Sequence, residues 1–425
     1  MRRITVLDTK RRPYPERIGA GGLVKLDRGL MAVLLLGAAF RMVALLGTGH
    51  RGDLRALSMW AEEMSAHGLT YYQAGGEANY PAILWVLWPF GAGLDWPFLS
   101  AGIRALSIPF DLAIAVLAYR IVHLRLDGRA GTLAASLVLL NPATIIAGAS
   151  WGQIDALGIL PMLLAVVLAQ RGHPAAAGVA GVLAALVKPQ FAIGLIVALA
   201  VVGRRPAALA RLTVAGLATA ALVLLPLGLN PGRYVALIVA SADRYPVASN
   251  YAFNPWGAVL GFHAPDGALA ILGGAIFVGT SAVIVWALAR GRIEPLTALA
   301  LLALAVYFLP TRVHERYLIA AIVVMAPLAA LRPRLRLPFT FLSAGFAFTL
   351  AYALSNGPYR AIPEIVLDPV AIAAASIAMT ILGAWSAGLV WSETRQARGS
   401  DRVVRDRPPV IVKKQWTIRA ANEVP

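Results

Sequence analysis

Apolar residues fill about a dozen long stretches of the chain, and short polar clusters separate these stretches. A helix needs about 20 mainly apolar residues to cross a bilayer, and most of the stretches approach that length. The pattern predicts an all-α polytopic membrane protein with about 12 transmembrane helices. The predicted spans are Leu30–Leu46, Gly102–Val122, Gly131–Gly148, Ile154–Gln170, Ala175–Val187, Phe191–Val202, Ala207–Leu229, Gly267–Ala289, Pro295–Leu309, Tyr317–Leu331, Pro338–Ser355 and Val366–Trp391.

Three of the apolar stretches are short for a full crossing. Ala175–Val187 and Phe191–Val202 are also compatible with one broken hairpin. Pro81–Gly93 is apolar as well, but a crossing there would move the basic loop around Arg125 to the other side of the membrane. We therefore interpret Pro81–Gly93 as a re-entrant or interfacial segment.

The distribution of charge orients the predicted spans. Residues 1–28 hold eight Lys and Arg against three acidic residues, and residues 392–425 hold eight against four. Because cytoplasmic segments are enriched in Lys and Arg, both are predicted to be disordered cytoplasmic tails flanking a membrane domain at residues 29–391. The short Arg-rich loops fall on the same side. The predicted location is a bacterial inner membrane, with the remaining loops facing outside.

Composition narrows the class of protein. The chain is 59% hydrophobic and 14% charged, with a mean hydropathy of +0.71, whereas soluble domains hold about a quarter charged residues. The net charge of +17 is spread over tails and short loops, so it indicates positive-inside bias and no nucleic-acid partner. The chain has no cysteine, which excludes a thiolate nucleophile and disulfides. No cleavable signal peptide is evident before the first apolar run.

The most informative polar residues collect on the predicted outer side. A purely structural bundle has little reason to gather carboxylate, amide, imidazole and guanidinium groups at one depth, whereas an active site does. The clusters are Arg51-Gly52-Asp53, Asn79-Tyr80-Pro81, Trp151-Gly152-Gln153-Ile154-Asp155, Lys188-Pro189-Gln190, Asn250 to Trp256, and Arg312-Val313-His314-Glu315-Arg316-Tyr317.

Asp53 follows the first predicted span and opens a segment with helical periodicity. Leu57, Trp60, Ala61 and Met64 recur at that spacing, which predicts an amphipathic helix in the first outer loop. A carboxylate in this place can act as a general base for a hydroxyl group. The alternative is that Asp53 is the N-cap of the helix, because Asp is a favoured capping residue.

Two further clusters interrupt apolar stretches. Gln153 and Asp155 lie where a predicted span begins, and ionisable groups at that depth are functional candidates because burying them is costly. The alternative is a polar helix start. Lys188 precedes Pro189, which breaks the helix. Its ammonium either binds a phosphate or extends to the membrane surface.

Two arginines in the cluster from Arg312 to Arg316 run against the positive-inside bias. The guanidinium group matches phosphate geometry, which makes an undecaprenyl- or dolichyl-type phosphate a candidate ligand. The alternative is a solvated loop. His314 and Glu315 lack the partner spacing of a metal site, and the chain lacks a Walker loop, a dinucleotide glycine fingerprint and a nucleophile elbow. We therefore expect neither a metal nor a nucleotide cofactor.

Taken in order, these clusters resemble the GT-C superfamily of integral-membrane glycosyltransferases, and in particular bacterial relatives of the second mannosyltransferase of glycosylphosphatidylinositol assembly. The likeness spans roughly Leu30 to Leu331. One departure is Tyr80-Pro81-Ala82, where the family usually has Tyr-Pro-Pro. The motifs that carry the resemblance are Gly52-Asp53 with Trp60-Ala61, Gly68, Tyr72 and Asn79-Tyr80-Pro81; Asn141-Pro142 with Trp151 to Asp155 and Lys188-Pro189-Gln190; Asn250 to Trp256; and His314 to Tyr317.

The resemblance implies an inverting transfer of mannose or a similar sugar from a polyprenyl-phosphate donor to a lipid, glycan or protein acceptor. Asp53 takes the position of the catalytic acidic residue. The residues expected to bind the donor phosphate are Arg312, His314, Arg316 and Lys188. The residues expected to contact substrate are Trp151, Gln153, Asp155, Gln190, Tyr80, Asn254 and Glu315.

The alternative function is a membrane transporter or lipid flippase. Such proteins carry polar groups near the bilayer midplane and often show repeat symmetry. Here the polar clusters map to one surface, and the sequence shows no internal repeat. A non-catalytic membrane scaffold is a further alternative, and a lipid-sized groove beside Asp53, rather than a pore, would separate these hypotheses.

The charge asymmetry predicts that loops containing residues 53, 254 and 314 face outside while both tails face the cytoplasm. The chain has no cysteine of its own, so single cysteines can be introduced and labelled with a membrane-impermeant maleimide in intact cells. We expect labelling at positions 53 and 314 from outside. Labelling only after the inner face is exposed would contradict this orientation.

Overall fold

The computed structural model describes residues 27–91, 93, 95–355 and 368–405, with side chains described as far as residue 392. Regular structure in these residues is helical except for one pair of two-residue strands. The predicted N-terminal tail up to residue 26, the tail beyond residue 405 and the start of the last predicted span at Val366 lie outside the described residues. The last helix continues past Trp391, where the sequence predicted its end, to Arg405.

Many helices begin with proline at their first position, where its missing N–H costs nothing. In chain order the helices are α1 (Arg28–Ala44), α2 (Arg51–His67), α3 (Pro81–Leu87), α4 (Trp96–Ala105), α5 (Ser107–His123), α6 (Gly128–Leu139), α7 (Pro142–Ile145), α8 (Asp155–Gln170), α9 (Pro174–Val187), α10 (Ile193–Val202), α11 (Pro206–Leu224), α12 (Pro231–Asp243), α13 (Pro255–Leu260), α14 (Leu269–Ala289), α15 (Pro295–Phe308), α16 (Ile319–Leu331), α17 (Arg336–Ser355) and α18 (Pro369–Arg405). The strands are β1 (Ser249–Asn250) and β2 (Val313–His314), which pair in parallel.

Shorter helical turns connect several of these elements. A π-helical turn, Ile146–Trp151, follows α7. The 3₁₀ turns are Gly68–Thr70, Trp88–Phe90, Pro189–Ala192, Leu225–Leu227, Glu315–Leu318 and Pro333–Leu335.

The protein is an all-α polytopic membrane protein. In the described residues five helical segments are long and apolar enough to cross a bilayer, or six if α6 and the segment Pro142–Trp151, bent by 47° from it, form one span. Other predicted spans correspond to shorter apolar helices, among them α8, α9, α10 and α15. The number of twelve therefore stays a prediction. The five long segments are Trp96–His123, Pro206–Leu227, Leu269–Ala289, Pro333–Ser355 and Pro369–Ser392.

The predicted re-entrant segment forms α3 and the 3₁₀ turn Trp88–Phe90. At 1.5 Å per residue these ten residues reach only about 15 Å, about half of the hydrocarbon thickness. Pro81 is the first residue of α3 and Ala82 continues it. The helix therefore starts without the second proline of the family pattern.

Helices α15 and α16 form the centre of the bundle. Every residue of α15 after Pro295, and every residue of α16 before Leu331, is buried. Helices α11 and α14 lie at the periphery, where Leu217 and Ile271 expose most of their apolar surface. The loop between α15 and α16, which carries His314 to Arg316, is thus held by the two best-packed helices of the described chain.

The Arg-rich loops meet at the opposite end of the bundle. Arg125, after α5, and Arg332, after α16, each form a 3.2 Å ion pair with Glu294, which precedes α15. Since α15 starts and α16 ends here, the α15–α16 loop lies at the other end. The loops of Arg125 and Arg332 therefore lie at the end of the bundle away from the α15–α16 loop, and the orientation of the bundle in the membrane stays a prediction.

A buried ion pair fixes four elements near the end of the bundle that carries the α15–α16 loop. The guanidinium of Arg41 in α1 is fully buried and its Nε lies 2.8 Å from Asp111 Oδ2 in α5. The same group donates to the carbonyl oxygen of Leu139 at 2.6 Å and to the hydroxyl of Thr144 at 3.2 Å. Arg41 thereby ties α1 and α5 to the end of α6 and to α7, which leads into the π-helical turn.

Arg41→Met should lower the free energy of unfolding by about 3–5 kcal/mol, because it leaves Asp111 buried without its counter-ion. The double variant Arg41→Met/Asp111→Leu should be more stable than Arg41→Met, because it removes both buried charges. Thermal unfolding in detergent, followed by loss of monomer on size exclusion, measures both. If the double variant were as unstable as the single one, the ion pair would not be the source of the loss.

Candidate active site

Asp53 lies in the first turn of α2, and it is not the cap of that helix. His50 occupies the N-cap position, and its Nδ1 accepts the backbone N–H of Asp53 at 3.2 Å. The capping interpretation of Asp53 is therefore wrong. With the cap supplied by His50, the Asp53 carboxylate is available for other contacts, and it lines a cavity.

The segment after α7 delivers two donors to Asp53. The indole Nε1 of Trp151 donates to Asp53 Oδ2 at 2.7 Å, and the amide Nε2 of Gln153 donates to the same oxygen at 2.5 Å. Between them Gly152 has φ = 101°, a conformation that favours glycine. A Cβ at this position would also lie 2.6 Å from Leu54 of α2. The tight turn at Gly152 thus lets the side chains of Trp151 and Gln153 converge on one carboxylate.

His50 strengthens the junction of the two segments. Its ring stacks on Trp151 with centroids 4.8 Å apart, and its backbone N–H donates to the Trp151 carbonyl oxygen at 2.8 Å. Its Nδ1 also lies 3.4 Å from Asp53 Oδ2. Two hydrogen bonds and the guanidinium of Arg316, 3.6 Å away, therefore converge on Oδ2, and none of these three described groups contacts Oδ1. The carboxylate is fixed through one oxygen while the other stays available.

Lys188 lies behind the hydrogen bond from Gln153 to Asp53. Its ammonium is buried and donates to Asp155 Oδ1 at 2.6 Å and to Gln153 Oε1 at 3.0 Å. The side chain follows the last residue of α9, in extended backbone before Pro189. Asp155 is the first residue of α8. The three predicted site residues thus form a chain of contacts that ends on Asp53, and none of the three lines the cavity.

The wall of the cavity that faces Asp53 and Trp151 is built on the strands β1 and β2. Asn250 of β1 is registered with His314 of β2, and its Nδ2 donates to His314 Nδ1 at 3.0 Å. Burial, together with the charge of Arg316, lowers the pKa of His314 well below its ordinary value. The ring is therefore neutral near pH 7, and this hydrogen bond assigns its proton to Nε2. His314 lines the cavity as a neutral donor.

Arg316 is the cation nearest to Asp53. Its Nη1 binds Glu315 Oε1 at 2.6 Å and lies 3.6 Å from Asp53 Oδ2, while its buried Nε has no hydrogen-bond partner among the described residues. Burial by itself raises the pKa of Asp53, but its polar neighbours, with the charge of Arg316 first among them, outweigh burial and hold that pKa well below its usual range. Asp53 is therefore ionised at neutral pH.

Arg312 has a different environment from Arg316. Its Nε lies 2.6 Å from Asp266 Oδ2 and its Nη1 lies 2.6 Å from Asp243 Oδ1. Its backbone has φ = 60°, unusual for a residue with a side chain. These two carboxylates use most of its donors, so Arg312 ties the end of α12 to the segment before α14.

The cavity between these walls has a volume of about 510 Å³. Binding sites for small molecules are typically about 300–1,000 Å³, so the space is large enough for a sugar and part of its carrier. It combines aromatic rings, which provide flat faces, with carboxylate, amide and guanidinium groups. The lining residues are His50, Asp53, Trp60, Asn79, Tyr80, Trp151, Pro189, Gln190, Ile238, Ser241, Ala242, Arg244, Tyr245, Asn250, Tyr251, Arg312, His314, Glu315, Arg316, Tyr317 and Ala353.

Most predicted site residues lie in or directly behind this cavity, and Asn254 is the exception. Tyr80 and Gln190 line it, and Tyr80 packs edge-on against Trp60. Asn254 is fully buried outside it, where its Oδ1 accepts the N–H of Gly257 as the cap of α13. Its Nδ2 donates to the carbonyl oxygen of Tyr307 at 3.3 Å. The geometry therefore gives Asn254 a structural role in place of substrate contact.

Several important residues were missed by the sequence analysis. His50, which caps α2 and stacks on Trp151, was not singled out, and Asn250 was named in a polar cluster without its contact with His314. Arg41 and Arg104 are buried in or beside apolar helices, and Arg104 donates to the carbonyl oxygens of Leu45 and Ala149. Charges inside predicted membrane helices are a signal that could have identified both arginines.

A family model described as glycosyltransferase family 87 matches residues 79–312, more than half of the chain. The matched range includes the Trp151 to Asp155 segment, Lys188 and Arg312. It excludes Asp53 and Arg316, so the roles of these two rest on geometry. No curated protein matches the chain.

Proposed function

Because the chain belongs to glycosyltransferase family 87, we propose that it transfers a sugar from a polyprenyl-phosphate sugar to an acceptor hydroxyl, with inversion at the anomeric carbon. Membership of the family makes it a membrane glycosyltransferase of the GT-C type and disfavours the transporter or flippase alternative. The observation that carries the proposal is the Asp53 carboxylate, held through Oδ2 at the wall of a cavity that also exposes His314 and Arg316.

Asp53 acts as the general base in this proposal. The acceptor oxygen attacks the anomeric carbon, the bond from that carbon to the phosphate oxygen breaks, and the acceptor proton moves to Asp53 Oδ1. The hydrogen bonds on Oδ2 hold the carboxylate in place without blocking Oδ1. The leaving group is a polyprenyl phosphate, so the energy for transfer is already present in the donor and no nucleotide is needed.

Arg316 is the proposed phosphate ligand. Its side chain is 14% exposed and lies on the cavity wall, which suits an anion that arrives between Arg316 and His314. When a donor phosphate also binds Arg316, the guanidinium charge stabilises the Asp53 carboxylate less. The pKa of Asp53 then rises towards a value at which it accepts a proton more readily. Donor binding and base strength are coupled in this way.

The reaction is proposed to occur on the outer face, with mannose as the sugar. The orientation rests on the sorting of Arg-rich loops to the end away from Asp53. Mannose rests on the resemblance to relatives of the second mannosyltransferase of glycosylphosphatidylinositol assembly. The acceptor is a hydroxyl of a lipid, glycan or protein. Purified protein incubated with a panel of polyprenyl-phosphate sugars and membrane extract tests both the sugar and the acceptor.

Asp53→Asn should remain folded and inserted while transfer falls by about 10²–10⁴-fold, the usual contribution of a general base. The amide keeps the shape of the side chain but does not accept a proton at neutral pH. Radiolabelled sugar transfer measures the loss, and size exclusion checks the fold. Turnover near the wild-type rate would show that Asp53 is not the base.

Arg316→Ala should weaken donor binding by about 1.5–3 kcal/mol, the worth of a hydrogen bond to a charged group. Arg312→Ala is the matched control, since it removes the same side chain from the same loop. Because Arg312 is already bound by Asp266 and Asp243, its loss should change the donor dissociation constant far less. Titration with farnesyl phosphate measures both constants. An equal loss in both variants, or none in either, would contradict the assignment.

A further inference from the structure

We propose that Lys188 is a positioning residue for the catalytic base, acting through Gln153, and that it does not bind the donor phosphate. The inference rests on the function proposed above, in which Asp53 is the base. It is carried by the line of contacts from Asp155 to Lys188, from Lys188 to Gln153 and from Gln153 to Asp53.

The location of Lys188 argues against a phosphate contact. Its side chain is only 3% exposed, it does not line the cavity, and its ammonium lies 2.6 Å from the equally buried Asp155 carboxylate. A phosphate in the cavity would therefore meet a cation that is already neutralised and lies behind other side chains. Arg316 is closer to the reacting carboxylate and lines the cavity itself.

The chemistry of the Gln153 side chain gives Lys188 its function. A glutamine amide presents an oxygen on one side and an NH₂ group on the other, and only the NH₂ group can donate to a carboxylate. An ammonium has donors and no acceptor, so Lys188 binds only Oε1. Lys188 therefore holds the amide with Nε2 towards Asp53. Rotation of the amide would place two oxygens against each other and release Oδ2.

Asp155 completes the arrangement by fixing Lys188. The two opposite charges form a neutral pair at the start of α8 and the end of α9. Since the pair carries no net charge, its influence on Asp53 passes mainly through the orientation of Gln153 rather than through a long-range field. An experiment can therefore separate the effect of the Gln153 amide orientation from the effect of the charges on Lys188 and Asp155.

Three variants separate the two effects. Asp155→Asn/Lys188→Met removes the pair without changing net charge or leaving a lone buried ion. Gln153→Leu keeps the pair and removes the amide, and the combination of all three substitutions tests whether the effects add. The other titratable side chains that face Asp53, namely His50, Glu315 and Arg316, are unchanged in every variant.

The first measurement does not depend on turnover. With 5-fluorotryptophan incorporated, the ¹⁹F resonance of Trp151, assigned with Trp151→Phe, reports the protonation of Asp53 because its indole donates to that carboxylate. The wild-type resonance should be constant down to about pH 4. In the Asp155→Asn/Lys188→Met and Gln153→Leu variants, the acid transition of this resonance should lie about one pH unit or more above the transition of the wild type. The combined variant should match Gln153→Leu.

The second measurement is binding of farnesyl phosphate. The Asp155→Asn/Lys188→Met protein should bind it within about threefold of wild type, and sugar transfer at saturating donor should fall by about tenfold or more. An unchanged ¹⁹F titration, or a farnesyl phosphate affinity reduced tenfold or more, would overturn the proposal. If the Lys188 variant does not fold, the ¹⁹F titration of Gln153→Leu decides: a wild-type titration there also overturns it.

The two proposals fail in different ways. If the wild-type protein binds no farnesyl phosphate and uses no polyprenyl-phosphate sugar, the proposed function is wrong. The ¹⁹F titration still tests whether Lys188 orients Gln153 against Asp53.

Discussion

The two hydrogen bonds from Trp151 and Gln153 to a single oxygen of Asp53 join the halves of the site. They connect α2 to the segment between α7 and α8, which are far apart in the chain. The contact requires a π-helical turn, a left-handed glycine and a helix cap supplied by His50. Each of these local features is explained by the need to bring two donors to one carboxylate oxygen while its other oxygen remains available.

Pairing of charges distinguishes the cations of the site. Lys188 is neutralised by Asp155, and Arg312 is held by Asp266 and Asp243. Arg316 meets both Glu315 and Asp53 through Nη1 alone, and it lines the cavity. Three residues with the same formal charge therefore differ in their readiness to bind an anion. A phosphate would compete least with existing contacts at Arg316.

Buried arginines support the site from within the apolar bundle. Arg41 connects α1, α5, α6 and α7, and Arg104 holds the carbonyl oxygens of Leu45 and Ala149. Backbone carbonyls at helix ends need hydrogen-bond partners when water is excluded, and a guanidinium supplies several donors at once. These contacts fix the loop before α2 and the turn that carries Trp151. The positions of the reacting groups thus depend on interactions deeper in the membrane domain.

The sequence by itself determined the class of protein, and it predicted which polar loops lie together at one end of the helical bundle. The lengths of the apolar stretches and the positions of the arginines are local properties of the sequence. They predict membrane helices because the bilayer core admits few other backbone structures and because Lys and Arg favour cytoplasmic loops. The same reasoning placed Asp53, Trp151, Gln153 and Arg316 in one site, although the number of crossings and the orientation in the membrane remain predictions.

Only the tertiary structure showed which groups each polar residue contacts. Asp53 was equally compatible with a helix cap until His50 was seen in that position, and Asn254 was assigned to substrate until its amide was seen capping α13. Lys188 and Arg312 looked like free cations because a sequence does not show which carboxylates will meet them. Partners such as Asp155 and Asp266 are brought near by packing of distant helices, and the distances between opposite charges, not their presence in the chain, determine their roles.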